Sequence, residues 1–129
     1  TVVALGGELF GKPTDEADFQ RMMSRLSGAT HDVITAVSAR VIGGEMFERH
    51  VATKVTFRSL GEAEIAWYWA TQEPKDKAGG YAIQGKGGAF VTRIEGSHSN
   101  VVGLPLPETL ELLEAAGVKA PWNDPRLRR

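Results

Sequence analysis

The chain has 129 residues, 42% hydrophobic and 24% charged, proportions that suit one globular domain over 1–129 and leave too little length for two comfortable cores. A net charge of −1 gives no electrostatic ground for a nucleic-acid partner, and no run approaches the ~20 apolar residues that cross a bilayer. The absence of cysteine removes disulfides, thiol catalysis and thiolate metal sites, and with no signal-peptide pattern at Thr1-Val2-Val3 the expectation is a cytoplasmic protein.

Val2–Leu5 is a short apolar run stopped by Gly6 and Gly7, the pattern of a buried strand and a turn. Its position at the first residue leads us to expect a segment upstream. Residues 13–28 are predicted helical: Thr14 or Asp15 can cap the start, Glu16 and Asp18 suit the positive end of the dipole, and Gly28 suits the position after the last turn. Phe19, Met22, Met23 and Leu26 recur at three-to-four spacing as a core stripe. Residues 31–41 and Met46–Phe57 alternate around Gly43-Gly44 as a long hairpin, with Phe47, Val51, Val55 and Phe57 assigned to the inner side and Arg49 and Thr53 to a solvated one.

Ser59 and Glu62 have capping-box spacing for a helix to about Thr71 that turns Ile65, Trp69 and Tyr68 inward. After Glu73-Pro74 come a glycine-rich stretch over 79–88, a strand over 90–94, and a last helix from Pro107 to Gly117 with Leu110, Leu113 and Ala116 as its buried face. Residues 118–129 form a tail in which Arg126, Arg128 and Arg129 are expected to be solvated and poorly ordered. Strands and helices mix, which predicts an α/β or α+β class without repeats or linkers.

His31, His50 and His98 are far apart and form no zinc pattern. His31 is expected to make ordinary hydrogen bonds at a strand start, and His50 to be exposed. No Gly-x-Ser-x-Gly elbow is present. The run from Gly80 to Lys86 imitates a phosphate-binding P-loop, but Gly87 stands where the magnesium-binding hydroxyl belongs and a strand follows where a helix should. What remains is the concentration of Glu73, Asp76, Lys77, Gln84 and Lys86 among glycines. Carboxylates suit a hard cation, lysines suit phosphate, and a glutamine amide can read a base edge. A solvated polar loop explains the same residues, and a surface lysine explains Lys12, which sits between Gly11 and Pro13.

Five ordered motifs go further. They are Thr1-Val2-Val3, Gly11-Lys12-Pro13, Leu26-Ser27-Gly28-Ala29-Thr30-His31, the run from Glu73-Pro74-Lys75-Asp76-Lys77 to Ile83-Gln84-Gly85, and Ile94-Glu95-Gly96-Ser97 with Asn100-Val101-Val102-Gly103-Leu104-Pro105. Together they resemble the Maf family of nucleoside triphosphate pyrophosphatases, up to about Gly117. The resemblance implies a mixed α/β fold like that of the inosine triphosphate pyrophosphatases, with an elongated mixed sheet flanked by helices and a cleft between two lobes. It implies hydrolysis of the α–β phosphoanhydride of a nucleoside triphosphate with a divalent cation, Mg2+ or Mn2+, whose ligands stay unassigned.

Carried over by position, Lys12 would bind phosphate, Asp76 and Lys77 would support the phosphates or the metal, and Thr1 and Gln84 would select the base. The Ile83-Gln84-Gly85 form resembles the branch acting on dTTP and UTP, since the branch linked to 7-methyl-GTP carries glutamate at the position of Gln84. Family members begin upstream of Thr1 with an arginine-bearing phosphate loop, and their catalytic aspartate immediately precedes the matched threonine. The resemblance therefore implies a missing N-terminal segment, and these residues alone are expected to lack turnover. Two alternatives stay open: a pyrophosphatase for the noncanonical purines ITP and XTP, and a non-enzymatic regulator of septum formation. The hairpin around Gly43-Gly44 offers a homodimer contact.

Overall fold

A computed structural model describes residues 1–127. Five strands form one sheet: β1 (Val2–Leu5), β2 (Glu8–Phe10), β3 (Thr30–Arg40), β4 (Met46–Phe57) and β5 (Val91–Glu95), in the order β2-β1-β3-β4-β5. Strands and helices mix as expected, and each pairing between these described strands is antiparallel. The long β3–β4 hairpin is the spine, paired from Thr30↔Thr56 to Arg40↔Met46. β2 escaped the sequence reading because three residues carry too little periodicity. Gly6 and Gly7, at φ of 56° and 83°, make the turn that folds β2 back onto β1.

Four helices, α1 (Glu16–Leu26), α2 (Glu62–Ala70), α3 (His98–Val102) and α4 (Leu106–Ala115), accompany the sheet. α1 forms as its local signals dictate. The Asp15 carboxylate accepts the Asp18 amide at 2.8 Å, Gly28 takes the left-handed conformation just past the end, and Phe19, Met22, Met23 and Leu26 are all buried. α2 packs beside it, with the Phe19 ring 5.1 Å from Trp69 and 6.1 Å from Tyr68. Its inward residues are Ile65 and Tyr68, with Trp69 half-buried.

The sheet buries one face. His31, Val33 and Thr35 of β3 and Thr53, Val55 and Phe57 of β4 are buried on it, while Asp32 and Lys54 pair across the opposite face at 3.2 Å. This corrects the assignment of Arg49 and Thr53 to a separate solvated side, because the strand period of two puts them in line with Val51 and Val55. Thr53 is buried beneath α3, and Arg49 reaches Glu111 of α4 at 2.5 Å.

Two further expectations are corrected. Ser59 and Glu62 form no capping box: α2 opens at Gly61 without a side-chain cap, and Glu64 is held by Arg58 at 2.5 and 2.8 Å. α4 buries Leu112 and leaves Leu110 and Leu113 exposed, since its leucines offer more than one stripe and the position of β4 selects among them. Beyond α4 the tail folds into two single turns, Pro121–Asn123 and Pro125–Leu127, with Ala120 and Asp124 buried. Arg126 is solvent-facing and pairs with Asp124 at 2.7 Å; Arg128 and Arg129 lie outside the described residues.

Candidate functional site

A cleft of about 470 Å3, within the usual range for small-molecule sites, opens where β1, the β2–α1 connection, the 73–88 segment and α3 meet. Thr1, Lys12, Asp76, Lys77 and Gln84, the five residues singled out from sequence, all line it. Val3, Val33 and Val101 give it an apolar wall, to which the Tyr81 ring adds. Glu73 and Lys86, grouped with them by residue type, are not among the lining residues.

Three parts of the chain present the polar lining residues. Thr1 heads β1, with its hydroxyl 2.9 Å from that of Thr35 on the neighbouring strand. Lys12 is exposed on the connection that leads into α1, and among the described residues no carboxylate pairs with it. The Gly11 carbonyl accepts the Gly79 amide at 3.0 Å, which ties that connection to the segment carrying Asp76 and Lys77.

That segment is a chain of single turns, Glu73–Asp76, Ala78–Gly80 and Lys86–Phe90, entered through Gln72 at φ 71° and anchored by buried Pro74. Its glycines answer to close packing. A Cβ on Gly79 would sit 2.7 Å from Val3 Cγ2, and both Gly79 and Gly80 have φ above 70°. Asp76 and Lys77 project from it with a loose contact of 3.6 Å, both partly solvated. Such a pair has little worth for stability and leaves both groups available to a ligand.

Beneath the cleft lies a cluster the sequence did not disclose. His31 is buried, with Nε2 2.7 Å from the Tyr81 hydroxyl, and both rings pack edge-on against Phe57. Burial holds the His31 pKa down to about 4, against a smaller opposing pull from Asp32, and burial raises that of the Tyr81 phenol. Both groups are therefore neutral near pH 7. The hydrogen bond of His31 agrees with expectation for one ring nitrogen, whereas Nδ1 is buried without a partner among the described residues. His50 is exposed beside Glu48 at 2.7 Å, as its place on the hairpin suggested.

A second internal contact holds the glycine-rich segment. The Glu73 carboxylate accepts the amides of Lys86 at 2.9 Å and Gly87 at 3.0 Å and the Tyr68 hydroxyl, which itself accepts the Ala82 amide at 3.0 Å. Burial pushes the Glu73 carboxyl up, and these donors outweigh it, so the group stays below the ordinary carboxylate range. Asp76 is thus the carboxylate that faces the cleft. Among the described residues no group of three or more histidine, aspartate or glutamate side chains is disposed to hold a metal ion.

Against known proteins, the family model described as Maf-like protein matches residues 1–116. A protein named dTTP/UTP pyrophosphatase from Anaeromyxobacter dehalogenans strain 2CP-1 is 56% identical over 129 residues, covering 97% of this chain and 66% of the relative. One of the same name from Myxococcus xanthus strain DK1622 is 57% identical over 123 residues, covering 95% and 62%. Another from Shewanella denitrificans strain OS217 is 56% identical over 115 residues, covering 89% and 58%. The chain thus spans between 58% and 66% of the length of these curated relatives.

Proposed function

The chain belongs to the Maf family of Maf-like proteins, and on that footing we propose that it is a nucleoside triphosphate pyrophosphatase that hydrolyses dTTP and UTP to the monophosphate and pyrophosphate. The observation that carries this reading is convergence. Residues drawn from the head of β1, the β2–α1 connection and the 73–88 segment share one cleft, where two lysines and a carboxylate meet a valine-lined wall. That polarity suits a ligand with a polyanionic end and a flat, partly apolar end.

In the reaction, water adds to the α-phosphorus while the bond from that phosphorus to the α–β bridging oxygen breaks, and pyrophosphate leaves with the electron pair. Lys12 and Lys77 would offset the charge that gathers on the phosphate oxygens, a preorganised effect that is often the largest single contribution to such catalysis. Thr1 and Gln84 would address the base: a glutamine amide supplies one donor and one acceptor side by side, which matches the O4 and N3–H edge shared by thymine and uracil.

The cleft fits a divalent cation in a limited sense. Asp76 is its single lining carboxylate among the described residues, and Mg2+ retains several waters and takes one or two carboxylates together with substrate phosphates, so a sparse protein donor set is suitable. When bound, Mg2+ or Mn2+ supplies further charge neutralisation at the phosphoryl oxygens. No helix among the described residues is long and apolar enough to cross a membrane. A cytoplasmic nucleotide pool is the setting in which such an enzyme would meet its substrate. The hairpin tip, where Val41, Ile42 and Met46 are exposed, is our choice for a homodimer contact.

Pyrophosphate release from a panel of nucleoside triphosphates, with Mg2+ or Mn2+ supplied, tests the reading. Turnover of dTTP and UTP above the other nucleotides is expected when the assay is made on a chain extended to the full length of the relatives, and none is expected from residues 1–129 alone. In the extended chain, a preference for ITP or XTP would overturn the reading of Gln84, and no release from any nucleotide would overturn the hydrolase.

A further inference from the structure

Gln84 sits at the exposed tip of a four-residue turn closed by one internal hydrogen bond, the Gly85 amide to the Ala82 carbonyl at 3.1 Å. A side chain that distinguishes bases has to be held within about 0.5 Å of its productive place, and a turn of that kind does not supply this by itself. The turn is instead pinned on both sides. Two residues before Gln84, the Ala82 amide donates to the Tyr68 hydroxyl at 3.0 Å; two and three residues after it, the Lys86 and Gly87 amides donate to Glu73 at 2.9 and 3.0 Å. The Tyr68 hydroxyl in turn donates to the same Glu73 carboxylate. Both anchors are therefore one connected unit rooted in α2 and the core.

The glycines around the turn record the closeness of this grip. A Cβ at Gly85 would collide with the Glu73 carboxylate, and one at Gly87 would lie 2.7 Å from the Tyr68 hydroxyl oxygen and 2.8 Å from the Ala82 carbonyl. Gly85 has an ordinary negative φ of −108°, so the carboxylate, not the backbone conformation, is what excludes a side chain there. Glu73 does not line the cleft, so its effect on a ligand has to pass through the turn.

We infer that Glu73, with Tyr68 behind it, is the positioning residue that sets base selection by Gln84, acting as a carboxylate clamp on the backbone of the base-reading turn. The inference rests on the base-reading role proposed for Gln84. Glu73→Gln keeps the size but presents an amide N–H2 to donors that need an acceptor, and Gly85→Ala pushes the carboxylate away from the other side. Tyr68→Phe is the milder third variant, since it keeps the buried ring and removes one anchor.

The experiment, made on a chain extended to the full length of the relatives, measures kcat/KM for UTP and for CTP, which reverse donor and acceptor on the base edge, in wild type and each variant. The ratio of the two is independent of how much of each preparation is folded. The expected result is a UTP-to-CTP ratio lowered at least about tenfold, the scale of one polar contact to a base, in Glu73→Gln and Gly85→Ala. The same ratio in the double variant Glu73→Gln/Gln84→Ala should fall no further than in Gln84→Ala. Faster amide exchange at Lys86 and Gly87 should accompany the loss. A ratio held at the wild-type value in all three single variants, with only the melting temperature lowered, would reduce Glu73 to scaffolding and overturn the inference. If the wild type hydrolyses neither nucleotide, the hydrolase reading fails, and the clamp is decided by the same ratio taken from UMP and CMP dissociation constants. If the wild type does not distinguish the two bases by either measure, both fail.

Discussion

The Tyr81 hydroxyl lies 2.7 Å from His31 Nε2, with both rings buried and set edge to face at 78°. The bond joins the start of β3 to the segment that carries Gln84, so the floor of the cleft depends on a neutral imidazole. Burial lowers the ring's pKa from 6.5 to about 4. Between those values the unfolded chain binds more protons than the native one, so stability is whole above about pH 6.5 and declines as pH falls toward 4. The full shift corresponds to roughly 3 kcal/mol. Urea unfolding at a series of pH values should show this decline, and His31→Leu should flatten it; an equal slope in both proteins would assign the acid sensitivity elsewhere.

Tyr81→Phe isolates the hydrogen bond from the ring packing. Removing the hydroxyl leaves both nitrogens of a buried imidazole without a partner, since Nδ1 already has none among the described residues. An unsatisfied buried polar group costs about 1–3 kcal/mol, and the unfolding midpoint should drop accordingly. Unchanged stability would mean that water reaches the ring.

How much of this was legible in the sequence depended on range. The α1 stripe of Phe19, Met22, Met23 and Leu26 and its Asp15 cap are set within a few residues, and period and capping chemistry found them. Thr53 was misread because its burial is imposed from far along the chain: the Asn100 carboxamide donates to Thr53 Oγ1 at 3.0 Å and to the Val33 and Val51 carbonyls at 3.0 and 3.1 Å. Leu112 was missed for a similar reason, as no local pattern says which leucine of α4 will meet the sheet. At the site, residue types and the family likeness brought forward Thr1, Lys12, Asp76, Lys77 and Gln84, yet nothing local could show that they share a cleft. Tyr68 and Glu73 read as a core ring and a loop acid, and their joint grip on the Gln84 turn exists only in three dimensions.

Gly79→Ala tests whether the segment bearing Asp76 and Lys77 is pressed against β1. The position combines φ of 73° with a Cβ placed 2.7 Å from buried Val3 Cγ2. A left-handed conformation alone costs an L-residue about 1–2 kcal/mol, and the contact with Val3 adds to it. Calorimetry should show a lower melting temperature together with a lower kcat, because Asp76 and Lys77 move with the segment. A variant that melts and turns over like wild type would mean that the segment rides free of the strand.

Cation dependence should follow nucleotide binding. With Asp76 the only carboxylate lining the cleft among the described residues, a cation would take much of its coordination from phosphate oxygens and water. EDTA should abolish hydrolysis and added Mg2+ or Mn2+ should restore it, while isothermal titration of Mn2+ should detect tight binding only with nucleotide present. Tight Mn2+ binding to the nucleotide-free protein would require a protein-built site of several ligands.

Lys12→Ala gives the sharpest separation of site from scaffold. Lys12 is exposed, lines the cleft and has no carboxylate partner among the described residues, so the fold makes little use of its charge. Its removal should leave unfolding free energy within about 0.5 kcal/mol of wild type, as for other surface substitutions. Loss of one preorganised cation from a phosphoryl-transfer site should nevertheless lower kcat/KM for dTTP and UTP by about 10²–10³, comparable to removing one donor from an oxyanion hole. The two measurements have to be made on the same preparation. Retained hydrolysis with retained stability would remove Lys12 from the phosphate side of the cleft and shift that role to Lys77; lost hydrolysis with lost stability would mean the lysine serves the fold instead.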